Sequence, residues 1–410
     1  MVSILYSINK EIPIRYIDTD SELKSFCEQI TQSEWLAVDT EFLRESTYYP
    51  KFCLLQIANT EQVACIDPLT INDLEPVFGL LYSPNIVKVF HSGRQDLEIF
   101  FNLRRSLPSP IFDTQLAAPL VGFTEQISYA ALVSDLLGVD LPKAHTRTDW
   151  SKRPLSDAQI KYAGHDALYL ARIYLLLHDQ LSALRRLDWL SDDFAALIDP
   201  EIYKNSPKNA WQRIRGAQNL NPKSLGILQS LAEWRERTAS ENDIPRNWIV
   251  KDDVLLNISR LKPSNPDDLG SLRGLHERTF KRYGKPICEV VVQARDNPAV
   301  ISANKTKPVR KSPQQEILIN LLTGIVHQIA LEHSLNPATL APRKDLDLLI
   351  SGNPDSKLIH GWRKAIVGDT LLAILRGEKI ISVKNGVVDL EPRMPERLRI
   401  GAQGVAGSNP

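Results

Sequence analysis

The chain has 410 residues, 43% hydrophobic and 24% charged, which suggests a soluble globular protein of two or three domains rather than one. Cys27, Cys53, Cys65 and Cys288 form no CxxC pair, which argues against a zinc–thiolate site and a disulfide framework. There is neither a membrane-length apolar run nor a signal-like start in Met1–Tyr16, so a cytoplasmic protein with no membrane partner is expected. Net charge is zero, but residues 1–200 carry 17 Lys+Arg against 27 Asp+Glu and the remainder 32 against 22, as in an acidic module joined to a basic, polyanion-binding one. Two ordinary solvated surfaces are the plainer reading.

Arg15-Tyr16-Ile17 enters a short strand, and Asp20 or Ser21 can cap a helix that turns Leu23, Phe26 and Ile30 inward. Trp35–Phe42 follows as a strand. Its alternation puts Leu36, Val38, Thr40 and Phe42 on one face and Trp35, Ala37, Asp39 and Glu41 on the other. Two carboxylates thus project side by side from an apolar strand. They either bind a hard cation or form a solvated strand end.

Phe52–Ala58 and Val63–Asp67 read as strands joined by the turn Asn59–Gln62, which makes the sheet mixed. A short helix over Leu74–Leu81, a buried strand at Ile86–Phe90, a turn at His91–Arg94 and a helix over Gln95–Phe101 come next. Phe112-Asp113-Thr114 caps a helix through Leu120. Ser156 and Gln159 form a capping box for a helix running through Leu177 or beyond, with Tyr162, Asp166, Leu170 and Ile173 on one face. Strands alternating with helices define an α/β domain.

Beyond Leu190 the chain reads as helical to about Leu375. Pro245, Lys251, Asp253, Val254, Leu256, Ile258 and Ser259 match Pro337, Arg343, Asp345, Leu346, Leu348, Ile350 and Ser351 at one constant offset, which implies two copies of a small helical domain. Ala303–Pro313 between them is linker-like, and the Gly/Ala/Ser-rich end from Arg399 reads as disordered.

Two further acids resemble the first pair in setting. Asp96 opens a helix just past a strand, and Asp166 sits one turn after Tyr162. Two-metal phosphodiester hydrolysis needs about four carboxylates converging on two cations. Val38-Asp39-Thr40-Glu41-Phe42, His91-Ser92-Gly93-Arg94-Gln95-Asp96-Leu97 and Tyr162-Ala163-Gly164-His165-Asp166 resemble the three motifs of the DEDD exonucleases in their tyrosine subclass. Lys161 stands where the histidine subclass has His. Asp149–Leu155 and the doubled helical domain, similar to the HRDC module, extend the likeness to the ribonuclease D family, from about Ile12 to about Leu390.

The resemblance implies an α/β, RNase H-like mixed sheet flanked by helices over residues 1–200. It implies two all-α HRDC domains at 208–290 and 314–390, a linker at 291–313 and a disordered tail at 391–410. It further implies 3′→5′ hydrolysis of RNA to 5′-mononucleotides, with tRNA precursors as partners and no obligate protein partner. Asp39, Glu41, Asp96 and Asp166 would bind two divalent ions, Mg2+ or Mn2+, and Tyr162 would orient the attacking water.

Arg246, Lys251, Arg273, Arg278, Lys281 and Arg282 are candidates for RNA phosphates, with a solvated helix face as the alternative. Trp211, Trp234 and Trp248 could stack bases or fill cores. His165 points about 100° away from Asp166 around its helix and reads as structural, like His91 in its turn. Asp113 reads as a cap, and Gln56 could face the site or satisfy a backbone group. A helicase motor is excluded because no phosphate-cradling G-x-x-x-x-G-K-[ST] run occurs. A nuclease-like fold that only binds nucleic acid would lack one of the five site residues, and all five are present.

Overall fold

The computed structural model describes residues 12–141, 148–270, 272, 274–296 and 312–393. Strands β1 (Ile14–Ile17), β2 (Trp35–Leu43), β3 (Lys51–Ala58), β4 (Val63–Ile66), β5 (Val87–Phe90) and β6 (Ile111–Asp113) form one sheet in the order β1-β4-β3-β2-β5-β6. β2 runs antiparallel to β3 and parallel to β5, while β4 is antiparallel to β3 and parallel to β1, so the sheet is mixed as expected.

The side chains of Leu36, Val38, Leu55 and Ile57 join those of helices α1 (Asp20–Ile30), α2 (Glu75–Leu81) and α3 (Arg94–Arg104) in the main core. The other face packs Cys53, Leu54 and Cys65 beneath Leu155 and Ala163 at the start of the long helix beginning at Asp157. The cap of α1 is Thr19, not Asp20 or Ser21: its hydroxyl accepts from the Glu22 amide. A helix over Tyr129–Leu137 (α4), capped by Ser128, was not anticipated. The box at Ser156 and Gln159 forms on both sides and opens α5 (Asp157–Ala183).

The described residues divide into two compact units. One comprises those up to Phe112, Leu141–Tyr174 and those from Phe194 through the first helical domain; the other takes Asp113–Asp140, Leu175–Asp193 and those from Ser312.

Within the first unit, α6 (Pro222–Glu241), α7 (Arg246–Ile249), α8 (Asp252–Leu261) and α9 (Glu277–Asp296) surround a separate core. α9 continues past the expected linker start at 291, and 297–311 lie outside the described residues. The loop after β2 is fastened to α6. The Tyr48 hydroxyl donates to Glu236 at 2.7 Å, and the Tyr48 and Tyr49 amides donate to Asp243, each at 3.0 Å.

In the second unit, α10 (Pro313–Glu332), α11 (Pro337–Leu340) and α12 (Arg343–Ile350) start at 313, 337 and 343, one common offset from α6, α7 and α8 at 222, 246 and 252. Arg186 donates to the Leu120 and His333 carbonyls, both at 2.6 Å, and Trp189 stacks on Trp362 at 4.4 Å.

After α13 (Asp369–Leu375) the expectation of an all-α domain to residue 390 fails. β7 (Lys379–Lys384) and β8 (Val387–Pro392) make an antiparallel hairpin. Asn385 and Gly386, at φ 53° and 81°, form its two-residue turn, for which Asn-Gly is the strongest short-range signal. The expected tail from 391 lies outside the described residues beyond Arg393.

Candidate active site

Asp39, Gln56 and Cys65 form a row across β2, β3 and β4, and Glu41 pairs with Leu54 two residues further along. Directly opposed residues share a face, so both acids lie on the α5 side of the sheet. A register irregularity follows Glu41 and ends the regular ladder at the site.

α5 approaches closely because residue 164 is glycine. A Cβ there would stand 2.5 Å from the Ile14 side chain on β1. This closeness brings Asp166 to Asp39 and Glu41. Asp96 arrives from the first turn of α3, and the Thr40 hydroxyl donates to it at 2.5 Å. Gly93 permits the preceding turn, where a Cβ would meet the Phe90 side chain at 2.5 Å.

Asp96 and Asp166 are buried, and Asp39 and Glu41 half-buried. Burial and then the neighbouring Asp96, Asp166 and Glu41 push Asp39 well above the usual carboxylate range. Burial, Asp166 and Asp96 push Glu41 up to about 8. Burial raises Asp166, opposed by a hydrogen bond from Tyr162. The Tyr162 phenol is raised by burial and the adjacent carboxylates, and its ring lies over Trp150 at 6.3 Å. The Cys65 thiol is pushed up to about 12 by burial and then Asp39, Glu41 and Asp166.

The site is therefore a knot of mutually repelling oxygen donors that gains by taking up positive charge, the chemistry of a hard divalent cation. Among the described residues no three His, Cys, Asp or Glu side chains stand in ready-made metal-ligating geometry.

The residues set aside in the sequence also have places. Asp113 accepts from the Gln115 and Leu116 amides, as a cap. His165 lines a hollow with Ile14, Lys161, Tyr169 and Arg172, and burial lowers its pKa. Trp211 and Trp234 pack on the α6–α9 core, whereas Trp248 is 61% exposed.

The basic candidates divide. Arg246 lines a cleft of about 380 Å³ with Arg44, Arg94, Arg213, Glu98 and Glu236, and Lys251 and Arg278 line a hollow beside Trp248. Lys281 pairs with Glu277, Arg282 lies over the Tyr283 ring, and Arg273 falls outside the described residues. Sequence reasoning missed Arg44, Arg94 and Arg213, which join the cleft only through tertiary structure.

It also missed Arg153. From the turn before α5 its guanidinium reaches the Cys53 carbonyl at 2.6 Å and Asp67, which is fully buried and also accepts from the Tyr16 hydroxyl at 2.5 Å.

Fold and site together define a 3′→5′ exonuclease joined to an HRDC domain. Residues 14–182 match the 3′-5′ exonuclease family and residues 224–291 the HRDC domain. Ribonuclease D of Gluconacetobacter diazotrophicus is 38% identical over 371 residues, covering 90% of this chain and 94% of that protein. Ribonuclease D of Granulibacter bethesdensis is 37% identical, covering 91% and 95%. The crystal structure of Escherichia coli RNase D, described as an exoribonuclease involved in structured RNA processing, superposes with a TM-score of 0.76 at 30% identity, covering 89% of this chain and 99% of that one. The chain belongs to the ribonuclease D family and is a hydrolytic 3′→5′ exoribonuclease.

Proposed function

We propose that the enzyme trims the 3′ ends of tRNA precursors and other structured RNA in the cytoplasm, releasing 5′-mononucleotides. The observation that carries this reading is the convergence of Asp96 and Asp166 on Asp39 and Glu41, whose proton affinities burial and these neighbours raise, beside a tyrosine hydrogen-bonded to Asp166. Asp39, Glu41, Asp96 and Asp166 would hold two divalent ions, Mg2+ with Mn2+ able to substitute. When bound, the ions neutralise the carboxylates and supply the positive charge that hydrolysis at phosphorus requires.

Thr40 fixes the Asp96 carboxylate by donating to it. Tyr162, protonated at neutral pH and held over Trp150, orients the attacking water, which makes this the tyrosine subclass. We also read residues 1–200 as the exonuclease domain, 208–290 as the first HRDC domain and 314–390 as a second, HRDC-like one that closes on a hairpin. The common offset of their first three helices supports the pairing. Arg246, Lys251 and Arg278 would meet RNA phosphates, a reading supported by their lining of the cleft and the hollow.

The decisive experiment incubates a 3′-extended tRNA precursor with Mg2+ and compares wild type with Asp39→Ala. Stepwise release of 5′-mononucleotides by wild type alone, abolished by EDTA, is expected. Equal activity of the variant would refute the assignment.

A further inference from the structure

The cleft that holds Arg246 and the hollow beside Trp248 are both lined by Asn247, so they adjoin on the surface of α7. One wall of the cleft comes from the elements that carry the catalytic acids. Arg44 lies three residues past Glu41 and Arg94 two before Asp96. At about 3.3 Å per extended residue, Arg44 starts within roughly 10 Å of Glu41 along the backbone.

The opposite wall is organised by Glu236, whose side chain is 2% exposed. Its carboxylate accepts from the Tyr48 hydroxyl at 2.7 Å and from Arg213 at 3.1 Å, with Arg246 at 3.7 Å. A buried carboxylate must be paired, so Glu236 holds both guanidiniums in place. At 47% and 42% exposed, Arg213 and Arg246 still present donors to the cleft. Four arginines against Glu98 and Glu236 leave a surplus of positive charge, suited to a phosphodiester. Next door, an exposed tryptophan stands among Lys251, His276 and Arg278, the arrangement of a base-stacking platform beside backbone contacts.

We infer that cleft and hollow form one track for the single-stranded 3′ segment of the RNA. The arginines clamp a backbone phosphate upstream of the scissile one, and Trp248 stacks a base further upstream. This rests on the exoribonuclease reading and gives the first helical domain a task in it: it supplies half the clamp and the whole platform. Short substrates that end before the track forgo its contribution.

The test compares kcat/KM for a single-stranded RNA of about 12 nucleotides with that for a dinucleotide, in the full chain with Mg2+. Arg94→Ala and Trp248→Ala should each lower the ratio of the two about tenfold, through KM of the longer RNA. Arg94→Ala should also flatten the salt dependence of longer-RNA binding by about one unit of log–log slope. Trp248→Phe should restore most of the ratio, because a phenyl ring still stacks. Lys24→Ala, on the exposed side of α1, serves as the control. An unchanged ratio in both alanine variants, with wild type releasing mononucleotides normally, overturns the track alone. Failure of wild type to release mononucleotides would instead overturn the underlying reading.

Discussion

Gln56 stands directly opposite Asp39 in the β2–β3 ladder, fully buried, and neither its amide nitrogen nor its oxygen has a hydrogen-bond partner. An unsatisfied buried amide costs about 1–3 kcal/mol. Gln56→Leu keeps the size and removes both orphan atoms. It is expected to raise the stability of the metal-free protein by about 1 kcal/mol, read from the denaturation midpoint in urea. A loss of stability would show that the amide finds a partner in solution.

The carboxylates of Asp39, Glu41 and Asp166 are all raised, so the folded chain binds protons more tightly than the unfolded one. That stability is fully present below the ordinary carboxylate pKa of about 4. It is lost as pH rises through the folded values, about 8 for Glu41. In EDTA the melting temperature should therefore fall from about pH 5 to pH 8. Adding Mg2+ should raise it more at the upper end, where the ligands are already deprotonated. A flat metal-free profile across that range would contradict the electrostatic picture of the site.

Tyr162 is tied to its neighbours in two ways, by the phenol to Asp166 and by the ring to Trp150. Tyr162→Phe deletes the first and keeps the second. Turnover should drop by about a hundredfold with RNA affinity unchanged, measured by single-turnover hydrolysis and by binding in Ca2+. Full turnover in the variant would remove Tyr162 from the role of orienting water.

Much of this was legible because it is local. Alternation along Trp35–Phe42 placed both acids on one face, and the pairing of Asp39 with Gln56 and Cys65 identifies that face as the one beneath α5. The Ser156–Gln159 box started α5 where expected, which in turn set Tyr162 and Asp166. The hairpin at Lys379–Pro392 was overlooked although its Asn-Gly turn was in view, because a helical repeat suggested helices throughout. Gln56 stayed open because its lack of a partner depends on three strands at once. The clasp of Tyr48 and Tyr49 on Asp243 joins residues nearly 200 positions apart, beyond any periodicity.

Arg153 shows most sharply how a distant contact supports the site. It binds Asp67 at the end of β4, the Cys53 carbonyl on β3 and the Trp150 carbonyl at 2.8 Å, immediately before α5 begins. Burial alone would raise Asp67, but the Arg153 and Tyr16 hydrogen bonds outweigh it and hold the carboxyl below its ordinary value. The pair thus clamps the start of the helix that carries Tyr162 and Asp166 to the strands beneath. Arg153→Met keeps much of the apolar stem but leaves Asp67 charged and buried with only Tyr16 and the Leu69 amide as donors. Breaking one side of a buried pair costs about 3–5 kcal/mol. Arg153→Met should lose that much by urea denaturation at neutral pH, and the double variant Arg153→Met with Asp67→Asn should recover part of it, since no bare charge remains. If the single variant lost less than about 1 kcal/mol, by the same yardstick for buried pairs, the clamp would be incidental and α5 held by its apolar contacts, among them those with Cys65 and Leu54 and of Tyr174 with Trp35.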